Sequence, residues 1–269
     1  MSEKTVSRAP SQTEKIRRMV ITAMLGAITA LLAFTPVGMI TLPPPLPAVT
    51  LVHIPVILAV LIEGPWVGVP VGLIFGLCSF IRAWETGMVG LTLFFRNPLV
   101  SILPRMIIPL TAWVIYRLWS RLFSAKRGVM DKIGAGVAAV AGALTNTVLC
   151  LGMILLLYGA DLSVLVNNLI ALGGVNHAYQ GNAGMWLVVA VGLPNGLAEA
   201  AVAAIVVPMI KTAVDAIRNR GTKRKRPPAV LTANANSEAN QGAQLEVDAQ
   251  ADQPIAETQA TQPNQSLSE

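Results

Sequence analysis

The sequence predicts an all-α integral membrane protein with six transmembrane helices and both termini in the cytoplasm. Three observations predict it. Long apolar stretches recur between residues 17 and 216, each close to the run of about 20 residues that crosses a bilayer core. The chain is 54% hydrophobic and only 13% charged, where soluble domains carry about 25% charged residues. Lysine and arginine gather in only some of the gaps between apolar runs, the bias that distinguishes cytoplasmic from external loops.

Residues 1–16 form a polar leader, with no small-residue cleavage site of the kind that ends a signal peptide. The first span reads over 17–34. A proline-rich segment follows at 35–47, where Pro43, Pro44, Pro45 and Pro47 forbid a helix. A short second span at 49–62 ends at the tight turn Glu63, Gly64, Pro65, and a third runs over 66–81. The mixed stretch at 82–97 is expected to be a structured loop with a short interfacial piece. The fourth span reads over 98–119 and is bent by Pro104 and Pro109. A basic loop with Arg121, Lys126, Arg127 and Lys132 leads to a fifth span at 133–158. The loop at 159–181 has no lysine or arginine, and a sixth span runs over 185–216, interrupted by Pro194 and Pro208. The chain thus divides into the leader, a six-helix transmembrane domain at 17–217, and a cytoplasmic tail at 218–269. That tail opens on the basic cluster Lys223, Arg224, Lys225, Arg226. Its Ala/Gln/Asn/Glu-rich remainder holds too few large apolar side chains to fold.

Orientation follows from the charges. The leader, the 120–132 loop and the segment after the sixth span are basic, which places them inside. Arg82 and Arg96 then fall on the outer side, against the bias, and invite another use. The net charge of +6 belongs to these flanks and to attraction for anionic lipid rather than to a nucleic-acid surface. Cys78 and Cys150 lie within apolar runs, where they act as small hydrophobes.

No chemistry-bearing constellation is present. There is no phosphate-binding loop, no Gly-x-Ser-x-Gly and no metal-ligand spacing of His and Cys, so the chain reads as no enzyme and calls for no cofactor. If ATP drives its work, the ATPase is another chain. Polar groups within spans are costly and mark function by default. Arg105, about two turns into the fourth span, is a natural clamp for a carboxylate, against the alternative that it snorkels or pairs internally. Arg96 lies nearer the interface. Asn146, with Thr145 and Thr147, sits midway along the fifth span, where it bonds either a solute or a neighbouring helix. Asn195 and Glu199 stand one turn apart after Pro194, which frees a carbonyl; Glu199 serves either a solute or a nearby arginine. His53 reads as a packed histidine before a ligand. Trp84, Tyr179 and Trp186 suit interfacial belts. Ala23 and Ala27, overlapped by Gly26 and Ala30, make a small-residue stripe that lets another helix approach, from this chain or a partner. Gly68, Gly72 and Gly76 make a second.

Taken in order, the Ala23–Ala27 stripe, TLVHIPVI at 50–57, GPWVG at 64–68, GLIFG at 72–76, NPLVSILPR at 97–105, ALTNT at 143–147 and NGLAE at 195–199 resemble the substrate-binding S component of energy-coupling factor (ECF) vitamin transporters. The resemblance covers most of 17–212 and is nearest the riboflavin/pantothenate-type group. It implies an S component in the plasma membrane of a prokaryote. It also implies a vitamin pocket built by the last three spans, near Arg96, Arg105, Asn146, Asn195 and Glu199, and a proline-rich lid after the first span. Its partners would be a coupling T subunit, meeting Ala23 and Ala27, and two ABC ATPases. Pantothenate is the preferred substrate, since its carboxylate suits an arginine and its amide and hydroxyls suit Asn146 and Asn195; riboflavin is the alternative. A stand-alone ion-coupled carrier, with Glu199 as its titrating group, is the competing class. The long tail after Arg218 is not part of the usual compact S component.

Overall fold

The computed structural model describes residues 11–40, 49–85, 90–123 and 128–224. The proline-rich 41–48 segment, and with it the expected lid, lies outside them, as do Lys126, Arg127 and the tail beyond Arg224. Helices dominate: α1 Gln12–Phe34, α2 His53–Glu63, α3 Pro65–Glu85, α4 Pro98–Ser101, α5 Leu103–Leu122, α6 Val129–Ala171, α7 Ala183–Met185 and α8 Leu193–Arg224. A two-residue antiparallel ladder joins β1 Met39–Ile40 to β2 Val49–Thr50. The packed unit ends at Asp215, and residues 216–269 fall in a second unit.

Among the described residues, five helical stretches are long and apolar enough to cross a membrane: Gln12–Phe34, Pro65–Glu85, Pro98–Leu122, Val129–Ala171 and Ala183–Arg220. The expected second span, 49–62, is the exception. α2 has 11 residues, about 16 Å of helix, half of a bilayer core. Its residues from His53 to Leu61 are all buried, packed among α1, α3, α5 and α6. A helix enclosed by others needs apolar residues on every side without spanning lipid, which is why its sequence reads as a short span.

Helix limits follow local chemistry. α1 begins at Gln12, five residues earlier than the apolar run, because Ser11 and Glu14 form a reciprocal capping box. α6 does not stop at Tyr158. The chain kinks there (φ −132°, ψ 27°) and a further helical stretch runs to Ala171, within the segment read as a loop. Its side chains Leu162, Val166 and Ile170, four apart, are buried against Phe94, Val100, Ile154 and Leu187. A one-sided stripe of this kind makes an amphipathic helix over the end of the bundle. The Tyr158 hydroxyl accepts a hydrogen bond from Asn97 Nδ2 at 3.0 Å, which holds the kink against the start of α4.

Prolines and glycines set the close packing. Pro109 has no N–H, so the Arg105 carbonyl loses its helical partner. Gly72 of α3 lies against that carbonyl: a Cβ there would sit 2.5 Å from the oxygen. Gly76 is similarly tight against the Ile102 backbone and Gly68 against Val60 of α2, with Pro109 at 3.0 Å, so the stripe seats α3 on the start of α5 and on α2. The same device recurs where Pro208 frees the Ala204 carbonyl and Gly136 of α6 comes beside it, its absent Cβ 3.3 Å away. On α1, Gly26 faces α3, with Ile74 in the space a Cβ would need, while Ala23 and Ala27, a quarter-turn or so round the helix, are exposed.

At the bundle end opposite Thr50, buried Lys211 of α8 bonds Asp131 of α6 and Asp215 at 2.8 Å each, and the Tyr116 hydroxyl of α5 donates to Asp131. Arg17 of α1 pairs with Glu63 of α2. These contacts tie helix ends that the apolar faces alone leave free to slide.

Replacing Gly72 with Val is expected to lower thermal stability by about 1–3 kcal/mol, whereas Val at Gly152, whose Cβ direction is open, is nearly neutral; melting of the detergent-purified chain checks both. Lys211→Met leaves two half-buried carboxylates facing each other, and is expected to cost about 1–2 kcal/mol after allowance for solvent screening, more than Asp215→Asn in the same assay.

Candidate functional site

A cavity of about 520 Å3 opens among α3, α5, α6, α8 and the start of α2, within the 300–1,000 Å3 usual for small-ligand sites. Its walls are mostly apolar, with Phe75, Phe95, Leu91, Leu151, Ile154 and Val191 among them. A few polar groups converge in it: Arg105, Asn146, Asn195 and Glu199, with Arg82, Thr50, Ser79, Thr92, Thr147 and Cys150.

Arg105 owes its setting to Pro104. Without an N–H, Pro104 leaves the Val100 carbonyl unpaired; α4 ends at Ser101 and α5 begins at Leu103. Arg105 Nη1 takes up that carbonyl at 2.8 Å and also donates to Cys150 Sγ at 2.8 Å. The guanidinium carbon lies 4.9 Å from the Phe95 ring centre and 5.4 Å from that of Phe75, a favourable cation–π setting. The residue is 6% exposed, yet Nε has no hydrogen-bond partner. Among the described residues no carboxylate comes within ion-pair distance of it. Glu199, the nearest candidate for neutralising it, is engaged elsewhere: its carboxylate accepts from the Thr50 amide at 3.3 Å and from the Thr50 hydroxyl.

Asn146 is buried, and its Oδ1 accepts from the Cys150 thiol at 3.5 Å, which leaves its Nδ2 hydrogens as donors. Asn195 Oδ1 is buried without a partner. It stands where α8 emerges from a π-helical stretch, Trp186–Gly192, in which the Leu193 N–H reaches back to the Val188 carbonyl. Pro194 removes the next donor. Such wide turns commonly accompany functional sites, and this one sets Val191, Gly192 and Asn195 on the cavity wall.

The structure places the other sequence candidates differently. Arg96 is absent from the wall; its Nε donates to the Ala83 carbonyl at 3.2 Å and its guanidinium lies 4.6 Å from the Trp84 ring centre. Trp84, Tyr179 and Trp186 are likewise absent from the wall. His53 is 1% exposed with neither ring nitrogen partnered, packed beside the cavity rather than lining it. Arg82 does reach the wall, and donates to the Ala33 carbonyl. Its place against the charge bias was a legible signal. Thr50 and Cys150 carried none: only the fold brings them to Glu199 and Arg105.

Comparison with known proteins places this arrangement in context. A family model described as ECF transporter, substrate-specific component, matches residues 17–211. The chain is 31% identical over 128 residues to the pantothenic acid transporter PanT of Lactococcus lactis subsp. cremoris, a match that covers 42% of this chain and 59% of that protein. It is also 31% identical over 150 residues to the pantothenate transporter PanT of Leuconostoc mesenteroides subsp. mesenteroides, covering 53% of this chain and 68% of the relative.

Glu199→Ala removes the acceptor shared by both Thr50 donors. Amide exchange at Thr50, followed by mass spectrometry, is expected to accelerate about tenfold, with exchange in α5 unchanged.

Proposed function

The chain belongs to the substrate-specific components of ECF transporters, and on that premise we propose that it captures a small water-soluble vitamin, pantothenate, for import. It presents its cavity outward, with both termini in the cytoplasm of a prokaryotic cell and the bundle in the plasma membrane. The vitamin is taken up without chemical change. Hydrolysis of ATP by two partner ATPases, relayed through a T subunit, moves the bundle and releases the solute inward.

One observation carries the substrate: Arg105 is buried at a cavity wall, and among the described residues no carboxylate lies within ion-pair distance of it. A buried cation without a counter-ion is expensive, and a ligand carboxylate supplies the missing charge through the planar fork that suits it. Pantothenate provides that carboxylate. Its amide and hydroxyl groups find Asn146 Nδ2, Asn195 Oδ1 and the Glu199–Thr50 pair, and its gem-dimethyl carbon finds the apolar walls. The names of the two relatives point the same way. Glu199 serves the site from its bond to Thr50, and Arg96 acts at the rim through Trp84.

The orientation rests on charge. Arg17, Arg18, Arg121 and Lys132 lie at the end away from the cavity, which the positive-inside bias assigns to the cytoplasm. The partner face rests on α1, where Ala23 and Ala27 are exposed beside Met19, Met24, Ile28 and Leu31. Small residues on an outward apolar face admit a partner helix closely.

Calorimetric titration of the detergent-purified chain with a panel of B vitamins is expected to give heat with pantothenate, and none with the panel overturns the reading. Arg105→Ala is expected to weaken pantothenate binding by about 2–5 kcal/mol, Arg105→Lys by less, and Arg96→Ala by under about 1 kcal/mol. Unchanged affinity in Arg105→Ala removes that residue from the site.

A further inference from the structure

We propose that Cys150 is a positioning residue whose thiol links Arg105 to Asn146 and thereby sets the cavity's preference for a carboxylate over a neutral group. The inference rests on the reading of pantothenate as the ligand, and deepens it.

Cys150 sits on α6 one turn beyond Asn146 and faces α5 across the cavity wall. Its sulfur accepts from Arg105 Nη1 at 2.8 Å and its S–H donates to Asn146 Oδ1 at 3.5 Å. The chain of bonds has a direction: guanidinium to sulfur, thiol to amide oxygen. Two consequences follow. Nη1 is held between sulfur and the Val100 carbonyl, so the guanidinium cannot turn its Nη1 edge to a ligand and offers the edge that carries the unpartnered Nε. The Asn146 amide is oriented with its oxygen toward the thiol, so that Nδ2 remains to donate. One sulfur therefore leaves two sets of donors, one of them charged, unspent at the same wall. A carboxylate accepts from both; a hydroxymethyl group in its place gains far less from a guanidinium.

The second observation, independent of the thiol, is Arg105 itself: 6% exposed, on the cavity wall, with a buried Nε that nothing among the described residues satisfies. Cys78 provides the contrast. It is also buried, but it bonds no cavity group and is not on the wall.

The experiment measures affinity of the full chain in detergent for pantothenate and for pantothenol, the same molecule with its carboxylate replaced by an alcohol. It does so in the unsubstituted protein and in Cys150→Ala, Cys150→Ser and Cys78→Ala. The unsubstituted protein is expected to prefer pantothenate strongly. In Cys150→Ala that preference is expected to fall about tenfold, through loss of pantothenate affinity with pantothenol changed less than about threefold. Cys150→Ser keeps both an acceptor and a donor and is expected to retain most of the preference; Cys78→Ala is expected to leave it unchanged. Cys150→Ser also serves if Cys150→Ala does not fold, since a serine variant that binds pantothenate no better than pantothenol overturns the proposal. An equal loss of both ligands in Cys150→Ala, with the preference intact, reduces Cys150 to a packing residue and overturns it as well. Failure of the unsubstituted protein to bind either ligand instead overturns the pantothenate reading on which this one stands.

Discussion

The bundle is arranged around a guanidinium held in an apolar wall, with no carboxylate within ion-pair distance of it among the described residues. Proteins seldom bury an arginine in this way, because the cost of removing the charge from water is recovered only by a paired anion and saturated hydrogen bonds. Here the bonds are half supplied. Val100 and Cys150 hold one nitrogen, two aromatic rings flank the charge, and Nε is left over. Among the described residues Nε has no hydrogen-bond partner, and the guanidinium borders a cavity of about 520 Å3, a size usual for small-ligand sites.

The rest of the bundle serves that placement. Pro104 breaks the helix so that a carbonyl is free for Arg105, and Pro109 frees the Arg105 carbonyl in turn. Gly72 lets α3 settle against it, which brings Phe75 to the guanidinium. β2, just ahead of the enclosed α2, brings Thr50 to Glu199 and so keeps that carboxylate engaged. The cluster at Lys211 ties α5, α6 and α8 at the far end. The chain thus spends its prolines and glycines where helices must approach or open, rather than at the turns alone.

Much of this was legible in the residues. The membrane class, the long spans, the bends at proline and the singling out of Arg105, Asn146, Asn195 and Glu199 follow from hydropathy, spacing and the cost of polar groups in lipid; their meeting at one pocket, with Arg96, was implied only by the family resemblance, and Arg96 is absent from the cavity wall. Other features depend on contacts that no local pattern announces. The apolar run of α2 has the composition of a span, and only its neighbours show that it is enclosed. The helix after Tyr158 looks like a loop because Gly159, Asp161, Ser163, Asn167 and Asn168 interrupt its apolar residues, and the buried stripe Leu162, Val166, Ile170 is picked out only by what packs on it. Glu199 reads equally as a ligand for a solute or for arginine, and its partner Thr50 is 149 residues away in sequence. Arg96 and Arg105 look alike along the chain; Trp84 draws the first out of the cavity, while the gap at Pro104 draws the second in.

If Arg105 holds the carboxylate of a solute, the protein should carry that solute when taken gently from cells. Extraction of small molecules from the freshly purified chain, followed by quantitative mass spectrometry, tests this most directly. The account predicts a single monocarboxylate, pantothenate, approaching one molecule per chain and absent from preparations of Arg105→Ala. Recovery of a neutral solute in that amount, or of the same acid from both preparations, would contradict it.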